Sequence, residues 1–238
     1  MRRHVTLLSF VLVLAAQWSA AQTTNSPQSY LADVSALLKC QWPTNRTVNI
    51  VCHGHSVPSG YFKTPVVDTF NAYPYLLHRA LKAHFPYAVM NVIVTGIGGE
   101  NSESGAARFQ HDVLDLHPDV ITIDYALNDR GIGLARARTA WVSMITNACN
   151  RGIKVILLTP TPDLTAHLDD ASDPLNQQAT QIRDLAREYH IGLCDSLAAF
   201  EQLAARGTDL KGMMSQSNHP NRKGHEIVAA ELAKWFPN

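Results

Sequence analysis

Five short apolar runs punctuate the chain: Val48 to Cys52, Ala88 to Thr95, Val120 to Tyr125, Val155 to Thr159 and Ile191 to Cys194. Such runs suit strands buried on both faces of a sheet. Between them, apolar residues recur at helical spacing. Ala106, Phe109, Val113 and Leu116 form one stripe, on a helix expected to run to about Leu116. Leu134, Ala137, Trp141, Met144, Ile145 and Ala148 form a second, and Leu175, Ala179, Ile182, Ala186 and Tyr189 a third. Pro74 suits the first turn of a helix ending near Phe85, and Asp173 with Pro174 starts another. Helices are also expected over Tyr30 to Leu38, over Leu197 to Ala205, and at the end, where Ile227, Val228, Leu232 and Trp235 share a face. Strands alternating with helices imply a parallel sheet with helices on both faces.

A chain of 238 residues can bury a full core as one compact α/β domain, and no repeat or linker divides it. Lys+Arg equals Asp+Glu at 20 each, with no basic stripe, so nucleic acid is not an expected partner. The N-terminus differs. Arg2 and Arg3 precede an apolar run from Val5 to Ala16 and a small-residue exit at Ser19-Ala20-Ala21, the pattern of a secretory signal peptide. The expected division is a signal peptide over 1–21, an N-terminal extension over 22–46 and the main α/β domain over 47–238. The run is short for a membrane span and no cysteine follows the exit, so no membrane anchor is expected after cleavage. Export makes disulfides possible among Cys40, Cys52, Cys149 and Cys194, whose pairing stays open. None shows Cys-X-X-Cys spacing, and His53 with His55 has no further clustered ligands, so no metal is expected.

Ligands on parallel α/β sheets bind at the carboxyl ends of the strands. Ser56, Gly99 and Asn128 fall just after the first, second and third apolar runs, and His219 lies in a polar loop before the last helix. A serine hydroxyl needs a neighbouring base to lose its proton during attack. It also needs donors aimed at the oxyanion that forms. Ser56 and His219 can supply the first pair. The backbone N–H groups of Ser56 and Gly99, with the Asn128 amide, can supply the donors.

Residues Gly54-His55-Ser56, Gly98-Gly99-Glu100-Asn101-Ser102, Ala126-Leu127-Asn128-Asp129 and His219-Pro220-Asn221-Arg222-Lys223-Gly224-His225 stand in the order of four family blocks. Through them the chain resembles the SGNH hydrolases, or GDSL-type esterases, over roughly residues 47 to 236. Thr159-Pro160-Thr161-Pro162 resembles a strand end that the family often carries. The resemblance implies a flavodoxin-like three-layer α/β/α sandwich on a five-stranded parallel sheet. It implies Ser56 as nucleophile, His219 as base, and Gly99 and Asn128 at the oxyanion. It implies no cofactor.

Three positions depart from the family pattern. His55 stands where aspartate is usual and Ala126 where glycine is usual. Gln216 replaces the aspartate that the family places three residues before its histidine. An amide oxygen can still accept the Nδ1 proton and fix the tautomer, so Gln216 is a candidate orienter of His219. A loop carbonyl or a carboxylate such as Asp209 is the alternative. His55, Glu100, Asn101 and Arg130 adjoin the site as candidate substrate contacts, with capping or loop roles as the other reading. Asp163 and His167 are expected at the surface, Asp195 as a helix cap, and His225 as a packed or solvent-facing residue of the last helix.

The expected function is a secreted or periplasmic serine esterase. It would remove short acyl groups, acetyl above all, from a carbohydrate or other small ester. A lipid esterase is the enzymatic alternative. A non-catalytic carbohydrate- or partner-binding module is the alternative from another class, kept open by Gln216.

Overall fold

The computed structural model describes residues 26–237; the expected signal peptide lies outside them. Helices α1 (Pro27–Tyr30) and α2 (Ala32–Lys39) lead into strand β1 (Thr47–Gly54). Then follow α3 (Ser56–Ser59), α4 (Tyr73–His84), β2 (Val89–Val94), α5 (Ser102–Asp112), β3 (Val120–Asp124) and α6 (Ala126–Asp129). The second half comprises α7 (Leu134–Cys149), β4 (Lys154–Leu158), α8 (Pro174–Glu188), β5 (Gly192–Cys194) and α9 (Ser196–Ala205). It ends with β6 (Met214–Gln216), β7 (His219–Pro220) and α10 (Arg222–Ala233).

Strands β1 to β5 form one parallel sheet in the order β2-β1-β3-β4-β5. The chain steps outward from β1 to β2 and then returns past β1 to β3. That reversal opens a crevice between the carboxyl ends of β1 and β3. All five residues of β3 are buried, as expected of a central strand covered on both faces.

Side-chain alternation along the strands divides the core in two. Val48, Ile50 and Cys52 of β1 join Leu38 of α2, Leu77 of α4, Phe200 of α9 and Leu232 of α10. Val51 of β1 and Ile121 and Ile123 of β3 face the other way, against Phe109 of α5, Trp141 of α7 and Ile182 of α8. The result is the expected three-layer sandwich. Leu31, Val34 and Leu38, within the segment 22–46, are buried in the first of these clusters.

The predicted strands and helices form, with differences at their ends. The segment after β1 begins with the one-turn helix α3, stopped by Gly60 in the left-handed region at φ 86°. The helix expected to reach Leu116 ends at Asp112, and a 3-10 turn covers Leu114–Leu116. The polar loop before the last helix contains an antiparallel ribbon, β6 against β7, too short to leave a periodic signal. All four cysteines are free thiols. Among the described residues, no helix is long and apolar enough to cross a membrane.

Candidate active site

Strand β1 delivers Gly54 and His55 to the crevice, and α3 starts on Ser56. The strand ends must come close for this to work. A Cβ on Gly54 would lie 2.5 Å from the Asp124 carbonyl oxygen of β3, so only glycine fits there. Ser56 is the first residue of α3, so its N–H has no intrahelical acceptor.

The β6–β7 ribbon brings His219 to the same point. Ser56 Oγ and His219 Nε2 are 2.9 Å apart, and both residues are buried. On the far side of the ring, Nδ1 lies 2.8 Å from the carbonyl oxygen of Phe62. A carbonyl only accepts, so Nδ1 carries the proton and Nε2 is left to accept from Ser56. Burial lowers the His219 pKa below the usual histidine value. The Phe62 carbonyl works against that shift, and His55 adds to it.

The Gln216 side chain makes no hydrogen bond to the His219 ring. Its Oε1 accepts from Thr64 N–H at 3.0 Å, and its Nε2 donates to Asn218 Oδ1 at 3.0 Å. The orienting group is the loop carbonyl of Phe62, and Gln216 ties down that loop two residues further on. The reason is directional: the 216 side chain leaves the ribbon toward Thr64, and the ring nitrogen finds a backbone oxygen first. Asp209 is exposed and caps the 3-10 turn at Leu210–Met213, so it is not the missing acid.

Gly99 has φ 82°, in the left-handed region, and a Cβ there would meet nothing within 4 Å. The backbone conformation requires glycine, not lack of space. Asn128, in α6 after β3, donates through Nδ2 to the Glu100 carbonyl at 2.8 Å. That bond joins the loop after β2 to the loop after β3 and leaves the second Nδ2 proton available. Among the described residues, neither Ser56 N–H nor Gly99 N–H donates to another backbone group.

The flanking residues have defined partners. Asn101 caps α5 by accepting from Glu103 and Ser104 N–H at 3.1 and 3.2 Å. Glu100 pairs with Arg108 at 2.6 Å, and Arg108 also donates to the Tyr125 hydroxyl at 3.0 Å. Arg130 donates to the Leu127 carbonyl and pairs with Asp163 at 2.8 Å. Asp163 was expected at the surface; it is buried against Arg130 and Thr165, whereas His167 is exposed. Arg130 and Asn128 line one rim of an open cavity of about 480 Å³ beside the crevice.

Asp129, next to Asn128, is a buried cap acting across space. It accepts from Ser102 N–H at 2.7 Å and from Trp141 Nε1 at 2.6 Å. Asp195 caps α9 as expected. His53 lies between Thr95, Gly105 and Tyr125, and burial lowers its pKa to about 3, so it is neutral. His225 is buried, accepts from Tyr73 N–H at 3.2 Å and is likewise lowered to about 3 by burial. Among the described residues, no three His, Cys, Asp or Glu side chains cluster to hold a metal ion.

The loop carbonyl that the sequence offered without placing it is that of Phe62, a backbone atom that residue type cannot mark. Asp124, beside His55, was not singled out, although it is the only acidic residue in the run Val120 to Tyr125.

Comparison with known proteins places the chain in a family and a fold. The model of the GDSL-like lipase/acylhydrolase family matches residues 52–227. An uncharacterized lipoprotein of Bacillus subtilis, YqeF, is 35% identical over 171 residues, which is 58% of this chain and 70% of that protein. An acetylxylan esterase of Geobacillus stearothermophilus superposes with a TM-score of 0.69 at 19% identity, covering 83% of this chain and 96% of that one. A two-domain esterase active on acetylated mannans superposes with a TM-score of 0.71 at 21% identity over 90% of this chain. This chain spans about half (53%) of that two-domain protein's length. With its fold, its four blocks and its family match, the chain belongs to the GDSL-like lipase/acylhydrolase family and is a carboxylic ester hydrolase.

Proposed function

We propose that this esterase removes acetyl groups from carbohydrate outside the cytoplasm, through an acyl-enzyme on Ser56 with His219 as its base. The observation that carries the reading is the 2.9 Å approach of Ser56 Oγ to His219 Nε2, with Nδ1 held on a carbonyl. Ser56 Oγ attacks the acyl carbon while its proton passes to Nε2. The oxyanion accepts from Ser56 N–H, Gly99 N–H and the free Nδ2 proton of Asn128. Collapse of the intermediate expels the alcohol, which takes the proton from His219. Water then enters, gives its proton to His219, and releases the acid. No cofactor takes part.

Support for the acetyl-carbohydrate reading comes from the fold neighbours, which act on acetylated xylan and acetylated mannan. In the acetylxylan esterase, alanine replacements of a serine and of a histidine are both described as catalytic mutants. The rim beside Asn128 is polar, with Arg130, Asp173 and Thr165, which suits an alcohol rich in hydroxyls. An extracytoplasmic site, secreted or periplasmic, fits the N-terminal pattern and the lipoprotein relative.

A fluorophosphonate probe tests the mechanism. Wild type should be labelled, and Ser56→Ala should not; equal labelling of both sinks the Ser56 reading. Acetate release from acetylated xylan and mannan tests the substrate. Faster turnover of p-nitrophenyl decanoate than of p-nitrophenyl acetate would instead indicate a lipid esterase.

A further inference from the structure

His55 takes the position where the family carries aspartate, and its surroundings are unlike those of a simple cap. Its Nδ1 is 3.3 Å from Ser56 Oγ and accepts from Val57 N–H at 3.3 Å. Because Nδ1 accepts, the ring proton is on Nε2. That nitrogen is fully buried and faces Asp124 Oδ1 at 3.4 Å, a distance for charge pairing but outside good hydrogen-bond geometry. The second Asp124 oxygen accepts from the Tyr73 hydroxyl at 3.2 Å. Both residues of the pair are almost wholly buried, His55 at 1% and Asp124 at 2% exposure.

The carboxylate absent behind His219 is therefore present behind a second imidazole that approaches the same hydroxyl. The glycine at 54 is part of this arrangement. A Cβ there would come within 3.2 Å of the Asp124 Cβ, so glycine lets β1 and β3 end close enough for the pair to meet. A helix cap alone requires neither the buried carboxylate nor the imidazole. Asparagine or aspartate caps at least as well.

We propose that His55 is a second proton acceptor for Ser56, oriented and charge-balanced by Asp124. The proposal rests on the reading of Ser56 as nucleophile. In this route the Oγ–acyl carbon bond forms as the Ser56 proton passes to His55 Nδ1. The imidazolium keeps its Nε2 proton beside the Asp124 carboxylate, whose charge balances it. As the acyl carbon–alkoxide bond breaks, Nδ1 returns the proton to the leaving oxygen. Protonating Nδ1 takes the acceptor from Val57 N–H, and the contact is longer than the 2.9 Å to His219. His219 is therefore the main base and His55 the reserve. The other titratable groups around His55 are Tyr73 on Asp124, the Tyr125 ring at 6.5 Å, and Asp129 and His219, each of which is coupled to its charge.

The test uses the full chain and p-nitrophenyl acetate. His219→Ala should keep turnover about 10²-fold above Ser56→Ala, a typical contribution of a general base. Adding His55→Asn should bring that remainder down to the Ser56→Ala level, although asparagine still accepts from Val57 N–H. In the wild-type background the same substitution should cost only a few-fold, through kcat with KM unchanged. Asp124→Asn, which keeps an acceptor for Nε2–H and removes the charge, should behave in the same way and carries the test if His55→Asn lowers the melting temperature severely. The proposal is overturned if His219→Ala equals Ser56→Ala, or if His55→Asn costs the same factor in both backgrounds, as a cap would. Full activity in Ser56→Ala would instead overturn the nucleophile assignment itself.

Discussion

His219 Nδ1 lies 2.8 Å from the carbonyl oxygen of Phe62, so a peptide group occupies the place of the triad carboxylate. A peptide dipole fixes the tautomer as well as an anion does. It stabilises the imidazolium less, because it carries no net charge. The pH dependence should reveal this difference. Burial holds the His219 pKa below its usual value near 6.5, and no carboxylate at Nδ1 raises it. The active form is the neutral base. Activity should therefore be constant through neutrality and fall only as pH drops through a midpoint below 6.5. A kcat/KM profile on p-nitrophenyl acetate checks this, and an acid limb centred above pH 7 contradicts it.

Gln216 acts on that carbonyl at one remove, by holding Thr64 N–H at 3.0 Å. Gln216→Ala should free the Phe62 to Thr64 loop and lower kcat about tenfold, the equivalent of one lost hydrogen bond. Gln216→Glu retains an acceptor for Thr64 N–H and should stay closer to wild type. The pair of kcat values tests whether Gln216 acts through Thr64 N–H; equal losses in both variants would assign the effect to its Nε2 donation to Asn218 instead.

Much of this was legible from residue order. The five strands and their helices follow from apolar runs and helical stripes, because a sheet buried on both faces leaves little choice of residue. Ser56, Gly99, Asn128 and His219 were readable because each sits at a strand end or before a helix, where parallel sheets place their chemistry. The rest depended on groups that sequence does not mark. The Phe62 carbonyl has no side-chain signature, and the β6–β7 ribbon is too short for alternation to register. Gln216 and a loop carbonyl were both open as partners of the ring, and the direction of the Gln216 side chain, toward Thr64, leaves the carbonyl of Phe62 in that place. Asp163 looked like a loop carboxylate until the fold buried it against Arg130.

Asn128 joins the two donor loops through its 2.8 Å bond to the Glu100 carbonyl. Asn128→Ala should remove one oxyanion donor and that tie together, with a loss of about 10² to 10³ in kcat. Asn128→Asp should be worse than alanine, since its carboxylate would face both the Glu100 carbonyl and the developing oxyanion. Steady-state kinetics of the two variants test the order.

Gly105 packs its backbone against the ring of Tyr125, where an added Cβ would lie 2.4 Å from Cζ. Tyr125 is buried between His53, Arg108 and Trp141 and cannot swing away. Gly105→Ala should therefore destabilise the protein by about 1 to 3 kcal/mol, despite alanine's better helix propensity. A differential scanning measurement should show a melting temperature lower by several degrees; an unchanged or higher value would mean that the Tyr125 network yields freely.

His53 and His225 make acid stability a property of the core. Burial lowers both from about 6.5 to about 3 in the folded protein. Below pH 6.5 the unfolded chain binds a proton at each position and the folded chain does not, so unfolding gains as pH falls. Their contribution to stability is complete above the unfolded value near 6.5 and declines steadily between there and pH 3. Two such groups together should cost several kcal/mol between pH 7 and pH 4. Urea unfolding at a series of pH values measures the slope. His53→Gln retains a donor and an acceptor for Thr95 and Gly105 but cannot titrate. It should flatten the acid limb by about half, and a limb as steep as that of wild type would assign the acid sensitivity to other groups.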